Sequence, residues 1–164
     1  MPSTTRVLRS SQGHQGWLGG LGIRFMISGE ESNGSFTLIE HRLKPHALAA
    51  PMHRHAQEDE YSYILEGRIG AKLGEEIVYA ETGDLVAKPR GQWHTFWNTG
   101  DEEARLLEII SPAGFEHYFE EMVKIAGGGR PDPALAAPIR QRHGLEVDPG
   151  STAKLVAEHK INFG

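Results

Sequence analysis

PMHRHAQEDEYSYILEG, residues 51–67, is the stretch of this sequence that says most about fold and chemistry. In a β-strand successive side chains point to opposite faces, so His53 and His55 share one face. A turn of four residues follows, and Glu60 then begins a returning strand whose carboxylate can face the two imidazoles. The stretch therefore predicts two strands that bring three metal-ligating side chains together.

A second stretch, GDLVAKPRGQWHTFWN (83–98), places His94 at the start of another strand, directly after a Pro-Arg-Gly turn. On that strand Phe96 and Asn98 share the face of His94, whereas Trp97 points the other way. His94 is therefore predicted to supply a fourth ligand from a neighbouring strand.

The chain around these two stretches is typical of an all-β protein. From about residue 6 to residue 112 it reads as roughly ten short strands separated by turn residues, among them 35–43, 61–65 and 105–110. The 20 glycines of the sequence fit this abundance of tight turns. Strands at such spacing predict a closed or double-sheet architecture, which protects sheet edges.

The last third of the sequence has helical rather than strand periodicity. Apolar residues recur at helical spacing over 113–126 and end in three glycines, which predicts an amphipathic helix with a glycine stop. Asp132 and Pro133 form a helix start, and Pro138 is expected to bend or split the helix that follows. We therefore predict a β-barrel over 1–112, with its core at about 20–112, and a helical extension over 113–164 that packs on the barrel.

Composition excludes several classes of function. The 164 residues carry a net charge of −5 with 17 scattered basic residues, so no cationic face for nucleic acid is expected. The sequence has no cysteine, which excludes disulfides and thiolate metal sites and leaves His, Asp and Glu as ligands. No apolar segment is long enough for a signal peptide or a membrane span, so a cytoplasmic protein without membrane partners is expected.

The two histidine stretches resemble the conserved motifs of the cupin superfamily, and the resemblance covers about residues 20–112. The first motif is matched by His53-x-His55-x4-Glu60-x6-Gly67, and the second by Gly83-x5-Pro89-x-Gly91-x2-His94-x3-Asn98. The glycine that opens the first motif is replaced by Ala47, a departure that affects a turn and not a ligand. The resemblance implies a double-stranded β-helix, or jelly-roll cupin barrel, with short C-terminal helices.

The resemblance also implies a function. Three imidazoles and one carboxylate suit one divalent ion of Fe, Mn, Ni, Cu or Zn, and four protein ligands leave positions open for substrate. The most frequent use of this ligand set is a quercetinase-like dioxygenase, here acting on a small oxygen-rich or aromatic compound. Glu60 would either ligate the metal or act as a catalytic base. Phe96, Ile64 and Met26 are candidates for an apolar pocket wall.

Two other classes of function compete with a dioxygenase, because fold does not fix function. One is a non-redox metalloenzyme such as an isomerase or a lyase, and the other is a non-catalytic cupin that binds a small ligand. A homodimer is expected in each case, from the apolar helix after residue 113 and from exposed barrel strands.

Several further polar residues are given less prominent roles. Glu58 and Asp59 could replace Glu60 as the ligand, but the spacing to Gly67 favours Glu60, and both are predicted to be solvated turn charges. Tyr61, Tyr63, Trp93 and Trp97 could line a substrate entrance, but aromatic residues in short strands usually serve packing, so a role in the core or an interface is predicted. Six histidines lack partners at ligand spacing and are predicted to lie on the surface or on a helix face: His14, His41, His46, His117, His143 and His159. Glu40 and Glu108 lie in strands whose inward direction the sequence leaves open.

Overall fold

The computed structural model describes residues 6–164, and its strands form two antiparallel sheets. The strands are β1 (Gln15–Leu18), β2 (Leu21–Ile27), β3 (Thr37–Leu43), β4 (Met52–His55), β5 (Asp59–Glu66), β6 (Arg68–Leu73), β7 (Glu76–Glu81), β8 (Leu85–Lys88), β9 (His94–Asn98), β10 (Ala104–Ser111) and β11 (Leu145–Asp148). The helices are α1 (Glu116–Ala126), α2 (Pro133–Arg142) and α3 (Ser151–His159). The predicted all-β fold with short C-terminal helices is confirmed.

The two sheets face each other around one apolar core. One sheet has the strand order β1-β2-β3-β10-β5-β8, and the other has the order β11-β4-β9-β6-β7. Alternate residues of each strand point inward, as in β10, where Ala104, Leu106 and Ile110 are fully buried. They pack with Ile39 and Ile64 of the adjacent strands. The strand order separates β4 and β9 from β5, although all three carry predicted site residues.

Two glycines are required by this packing. Gly67 joins β5 to β6 with a φ of 85°, a left-handed conformation that glycine adopts without strain. Gly70 lies opposite Trp97 in the β6–β9 ladder, and a Cβ there would lie 2.4 Å from the indole. The absence of a side chain at Gly70 thus leaves room for Trp97, which is 1% exposed.

Helix α1 closes one side of the barrel. It begins at Glu116, three residues later than the predicted stretch, and ends at Gly127, whose φ of 58° is a left-handed C-cap. Its apolar face, with Tyr118, Phe119 and Met122, is buried in the main core. No helix among residues 6–164 is both long enough and apolar enough to cross a lipid bilayer.

The rest of the C-terminal segment contains one strand in addition to two helices. The Asp132 carboxylate caps α2 by accepting from the Ala134 N–H at 2.7 Å, as predicted, but Pro138 lies inside α2 without splitting it. Strand β11, which was not predicted, pairs with β4. Helix α3 contributes Leu155 to a second cluster under Trp97. A folding boundary at residue 112 stays a prediction.

Candidate metal centre

Four side chains from three strands converge inside the barrel. His53 and His55 come from β4, His94 from β9 and Glu60 from β5, and one ligand atom of each lies within 4.8 Å of all the others. His53 and His94 are direct partners in the β4–β9 ladder, and their ring centroids lie 4.4 Å apart. Glu60 reaches them from the other sheet, so the cluster joins the two sheets.

Backbone carbonyls orient two of the imidazoles. Nδ1 of His53 lies 2.8 Å from the Pro51 carbonyl oxygen, and Nδ1 of His94 lies 3.2 Å from that of Gln92. A carbonyl only accepts hydrogen bonds, so each Nδ1 carries the proton and each Nε2 offers its lone pair to the cluster. This is the tautomer that metal binding through Nε2 requires.

The cluster favours an ionised Glu60. Burial alone would raise the pKa of this carboxyl, but His55, Lys88 and His94 around it lower the pKa well below its usual range. Oε2 of Glu60 lies 2.9 Å from His94 Nε2 and 3.4 Å from His55 Nε2. Burial lowers the pKa of His53, with His94 and His55 adding to that effect, so His53 is held neutral. Neutral imidazole and charged carboxylate are the forms that bind cations.

Two residues predicted to be solvated are buried beside this cluster. Glu58 is 6% exposed, and its Oε2 lies 3.6 Å from His55 Nδ1. His41 is 2% exposed, lines the cavity next to the cluster and donates from Nδ1 to the Gly22 carbonyl at 3.2 Å. Burial lowers the pKa of His41 to about 4. Both predictions were wrong because the turn folds Glu58 back on His55 and because His41 follows the inward parity of β3.

A buried charge pair that was not recognised in the sequence lies next to Glu60. Lys88 is 1% exposed, and its Nζ lies 2.8 Å from Glu108 Oε1 and 3.6 Å from Glu60 Oε2. The Ser62 hydroxyl donates to Glu108 Oε2 at 2.8 Å. Glu108 therefore points inward, which answers the question that its strand position left open, and burial raises its pKa to about 7. Lys88 shares the inward parity of Val86 in β8, and that parity was the available signal.

An apolar cavity of about 510 Å³ adjoins the cluster. His53, His55 and Glu60 lie in its wall, together with Glu108 and several aromatic side chains. Of the three residues predicted for an apolar wall, Phe96 lines this cavity, whereas Ile64 belongs to the packed core and Met26 is half-buried in β2. The cavity gives a small ligand access to the cluster from an apolar surrounding.

The predicted packing aromatics divide into two groups. Trp97 is buried and stacks on His159 with ring centroids 4.2 Å apart, which confirms a packing role. Tyr61 and Tyr63 are 36% and 42% exposed on the outer face of β5. Glu40, the other carboxylate of open direction, points away from the cavity and pairs with Arg24 at 3.5 Å and Arg105 at 3.1 Å.

The donor set fits a divalent metal ion. Both ring nitrogens of His55 are buried without a hydrogen-bond partner among the described residues, an arrangement that is costly unless another group satisfies them. Three imidazole nitrogens and one carboxylate oxygen suit first-row transition ions, and the sequence and the geometry leave the choice among Fe, Mn, Ni, Cu and Zn open. The cluster could therefore hold one metal ion.

Comparison with known proteins identifies the fold family. Residues 39–110 match the family model of the cupin domain. The chain is 32% identical over 90 residues to the tetracenomycin polyketide synthase protein TcmJ of Streptomyces glaucescens, a match that covers 52% of this chain and 56% of that protein. It is 35% identical over 60 residues to the polyketide synthase CurC of Streptomyces cyaneus, covering 37% and 39%. The chain thus spans about half or less of the length of these relatives.

Solved structures share the fold at low identity. KdgF from Halomonas sp. superposes with a TM-score of 0.61 at 14% identity, over 70% of this chain and 99% of that one. A predicted oxalate decarboxylase from Thermotoga maritima superposes with a TM-score of 0.60 at 23% identity, over 65% and 99%. These likenesses show a common barrel.

Proposed function

We propose, from the premise that residues 39–110 of this chain form a cupin domain, that the protein is a metal-dependent dioxygenase acting on a small oxygen-rich or aromatic compound. The observation that carries the proposal is the convergence of His53, His55, Glu60 and His94 beside an apolar cavity whose wall includes the first three. When bound there, a redox-active ion such as Fe, Mn, Ni or Cu would supply Lewis acidity and electron transfer toward O₂ and the substrate.

The chain's own residues would bind and orient the substrate. Phe96 and Phe115 line the cavity next to the histidines, and the Phe115 ring centroid lies 4.4 Å from that of His55. Such walls favour a flat apolar ligand and exclude water from the reacting end. Glu60, which its lowered pKa keeps ionised, would either bind the ion or accept a proton from a substrate hydroxyl through Oε2.

A non-redox metalloenzyme, such as an isomerase or lyase, is the second candidate. It is favoured by Glu108, a second buried carboxylate in the cavity wall, held by Lys88 and Ser62. Two carboxylates at one cavity allow proton removal and return at different atoms of a substrate, a division of labour that isomerases and lyases need.

Metal content is the first test. The protein is purified without added metal or chelator and analysed by mass spectrometry, next to His53→Ala and to His46→Ala. His46 is a control because it pairs with Asp101 at the surface, away from the cavity. We expect a near-stoichiometric ion in the wild type and in His46→Ala and its loss in His53→Ala. Absence of metal from all three, even after reconstitution, would overturn the proposal and favour a ligand-binding barrel.

Oxygen dependence separates the two enzymes. With 1,2-dihydroxynaphthalene as probe, a dioxygenase consumes O₂ and incorporates both of its atoms, so turnover stops under argon. A zinc-loaded protein that converts a substrate at the same rate in air and under argon would instead support the isomerase or lyase. Glu108→Gln should reduce the rate of that anaerobic turnover by a larger factor than it reduces the amount of bound metal.

A further inference from the structure

The cavity has a second polar wall that the metal centre does not use. It is formed by the C-terminal segment, which contributes Tyr118 from α1, Arg130 from the connection and Arg140 from α2. The cavity is otherwise apolar along this segment, with Phe115, Phe119 and Met122 in its lining. Two guanidinium groups beside such apolar side chains are unusual, because charged groups away from water are costly unless they are paired.

Arg140 is the more unusual of the two arginines. Its guanidinium is half-buried beside the Tyr118 hydroxyl, forms no ion pair with any residue of 6–164, and has its Nε buried without a partner. Arg142, two residues further along the same helix, pairs instead with Glu121 at the surface. Arg140 thus has no counter-ion on its guanidinium, the planar fork that binds carboxylates with two parallel hydrogen bonds.

Arg130 adds positive charge to the same wall. Its Nη1 and Nη2 donate to the carbonyls of Ala49 at 3.2 Å and Leu48 at 2.9 Å, while its buried Nε has no partner. It forms no ion pair within the described chain, and burial lowers its pKa to about 10. Asp132 also lines the cavity, but its Oδ1 is occupied by the N-terminal N–H groups of α2.

The hydroxyl of Tyr118 is the third donor. The residue is 7% exposed, and its hydroxyl lies beside the Arg140 guanidinium, for which its oxygen can act as acceptor while the O–H stays a donor. Burial raises the pKa of the phenol, against the opposing effect of Arg140 and Arg130 beside it, so the hydroxyl keeps its proton. Two cations and one neutral O–H donor, with no carboxylate paired to any of them, form a wall suited to an anion.

We propose that Arg140, with Tyr118 and Arg130, binds a carboxylate of the ligand, so that the natural ligand is an aromatic carboxylic acid. Partly buried guanidinium groups without counter-ions are unfavourable, and an acidic ligand would remove that penalty. The aromatic lining of Phe115 and Phe119 fits a ring system between the carboxylate and the metal centre. This inference rests on the proposed function in one respect, which is that the other end of the ligand carries oxygen donors for the metal ion.

Binding to metal-free protein tests the carboxylate wall by itself. Protein treated with EDTA is titrated by calorimetry at pH 7.5 with 2-naphthoate and with 2-naphthalenemethanol, its neutral counterpart. One charge-assisted pair corresponds to a preference of about ten- to a hundredfold, so wild type should bind the acid at least tenfold more tightly. Arg140→Gln should remove this preference and leave the affinity for the alcohol unchanged.

Matched variants separate a binding role from a structural one. Arg142→Gln, on the same helix, should bind both probes like wild type, and Arg140→Lys should keep part of the preference for the acid. Equal affinity of wild type for both probes, no binding of either, or equal loss of both in Arg140→Gln would overturn the proposal. A preference for the acid in a protein that never binds metal would support this carboxylate-binding wall and refute the proposed metalloenzyme. Bound metal without a preference for the acid would support the metalloenzyme and refute the wall.

Discussion

At the scale of single residues, the interior of this barrel holds far more polar chemistry than a hydrophobic core needs. Buried side chains that can ionise lie in the wall of one cavity or directly behind it: Glu60 and Glu108 line the cavity and Lys88 pairs with both, each at most 5% exposed. Buried charges persist only when they are paired or bind ions, because their desolvation is expensive. Their concentration at one cavity therefore marks the functional part of the molecule.

The metal ligands are expected to be dispensable for folding. His94→Ala removes a buried imidazole whose Nε2 lies 2.9 Å from Glu60 Oε2, at a cost of about 0.5–3 kcal/mol in the free energy of unfolding, while the apolar core of both sheets stays intact. We expect a native circular dichroism spectrum with complete loss of bound metal. His46→Ala should keep both. A collapsed spectrum in His94→Ala would make the metal structural instead.

The pair of Lys88 and Glu108 is expected to show strong coupling. Lys88→Met leaves the Glu108 carboxylate buried without its cation and should lower the free energy of unfolding by about 3–5 kcal/mol. Adding Glu108→Leu should recover most of that loss, because both charges are then gone. Urea unfolding of the four proteins of the cycle measures the coupling.

A surface pair is the control for this cycle. Lys72 and Glu75 lie 3.6 Å apart with Glu75 98% exposed, so their coupling should stay below about 1 kcal/mol. Additive effects of the Lys88 and Glu108 substitutions would show that the buried pair does not act as a unit.

At the scale of elements, one carboxylate links α1 to the strands. Glu116 in the first turn of α1 accepts hydrogen bonds from the Gly29 and Gly114 N–H groups and from the Thr37 hydroxyl. It thereby connects the start of the helix to the loop after β2 and to β3. Because α1 carries Phe115 and Tyr118 at its N-terminal end, this linkage also positions the cavity wall.

The stabilisation by Glu116 should depend on pH. Burial would raise its pKa, but the hydrogen bonds from Thr37 and Gly29 outweigh burial and lower it below 4.5. A carboxyl whose pKa is lower in the folded state stabilises the fold above the pKa of the unfolded chain, and this contribution is lost as pH falls through the folded pKa. Glu116→Gln should therefore be less stable by about 1–3 kcal/mol at pH 7, with the difference shrinking below pH 4.5.

Thermal unfolding between pH 3 and pH 7 measures that difference in the midpoint. The exposed Glu120, on the same helix and paired with His117, provides the control, since Glu120→Gln should follow wild type throughout. A difference between Glu116→Gln and wild type that is constant with pH would refute an ionised Glu116 as its cause.

At the scale of the whole molecule, the structure supports one of the two reasons for which the sequence predicts a homodimer. The apolar face of α1 is buried within the chain and is not available to a partner. The outer face of β5 and the edge strand β8 do expose apolar side chains, with Tyr63 42% and Leu85 58% exposed and paired across the ladder. An exposed apolar patch on an unprotected edge strand favours association.

We therefore predict a dimer through β5 and β8. Light scattering should give twice the chain mass of 18.1 kDa for wild type and the monomer mass for a protein carrying Tyr63→Arg and Leu85→Arg. Leu135→Arg, which changes an apolar side chain 59% exposed on α2, should remain dimeric. A monomeric wild type would end this prediction.

The sequence by itself determined the fold and the four residues of the cluster, because both depend on local rules. Strand alternation places His53 and His55 on one face, and turn residues mark where strands end, so neither requires knowledge of distant neighbours. Local rules allowed Glu60 and His94 to face this pair, and their spacing, which resembles the two cupin motifs, singled them out. The structure brings these four side chains within ligand distance of one another.

Tertiary structure alone decided what surrounds them. Lys88 comes next to Glu108 only because β8 and β10 flank β5 in the sheet, and His41 is buried because Phe96 of the other sheet and Phe119 of α1 pack against it. Arg130 and Arg140 reach the cavity because α1, β11 and α2 fold back over the barrel. Burial and long-range pairing arise from contacts between segments far apart in sequence, and periodicity within one segment carries no record of them.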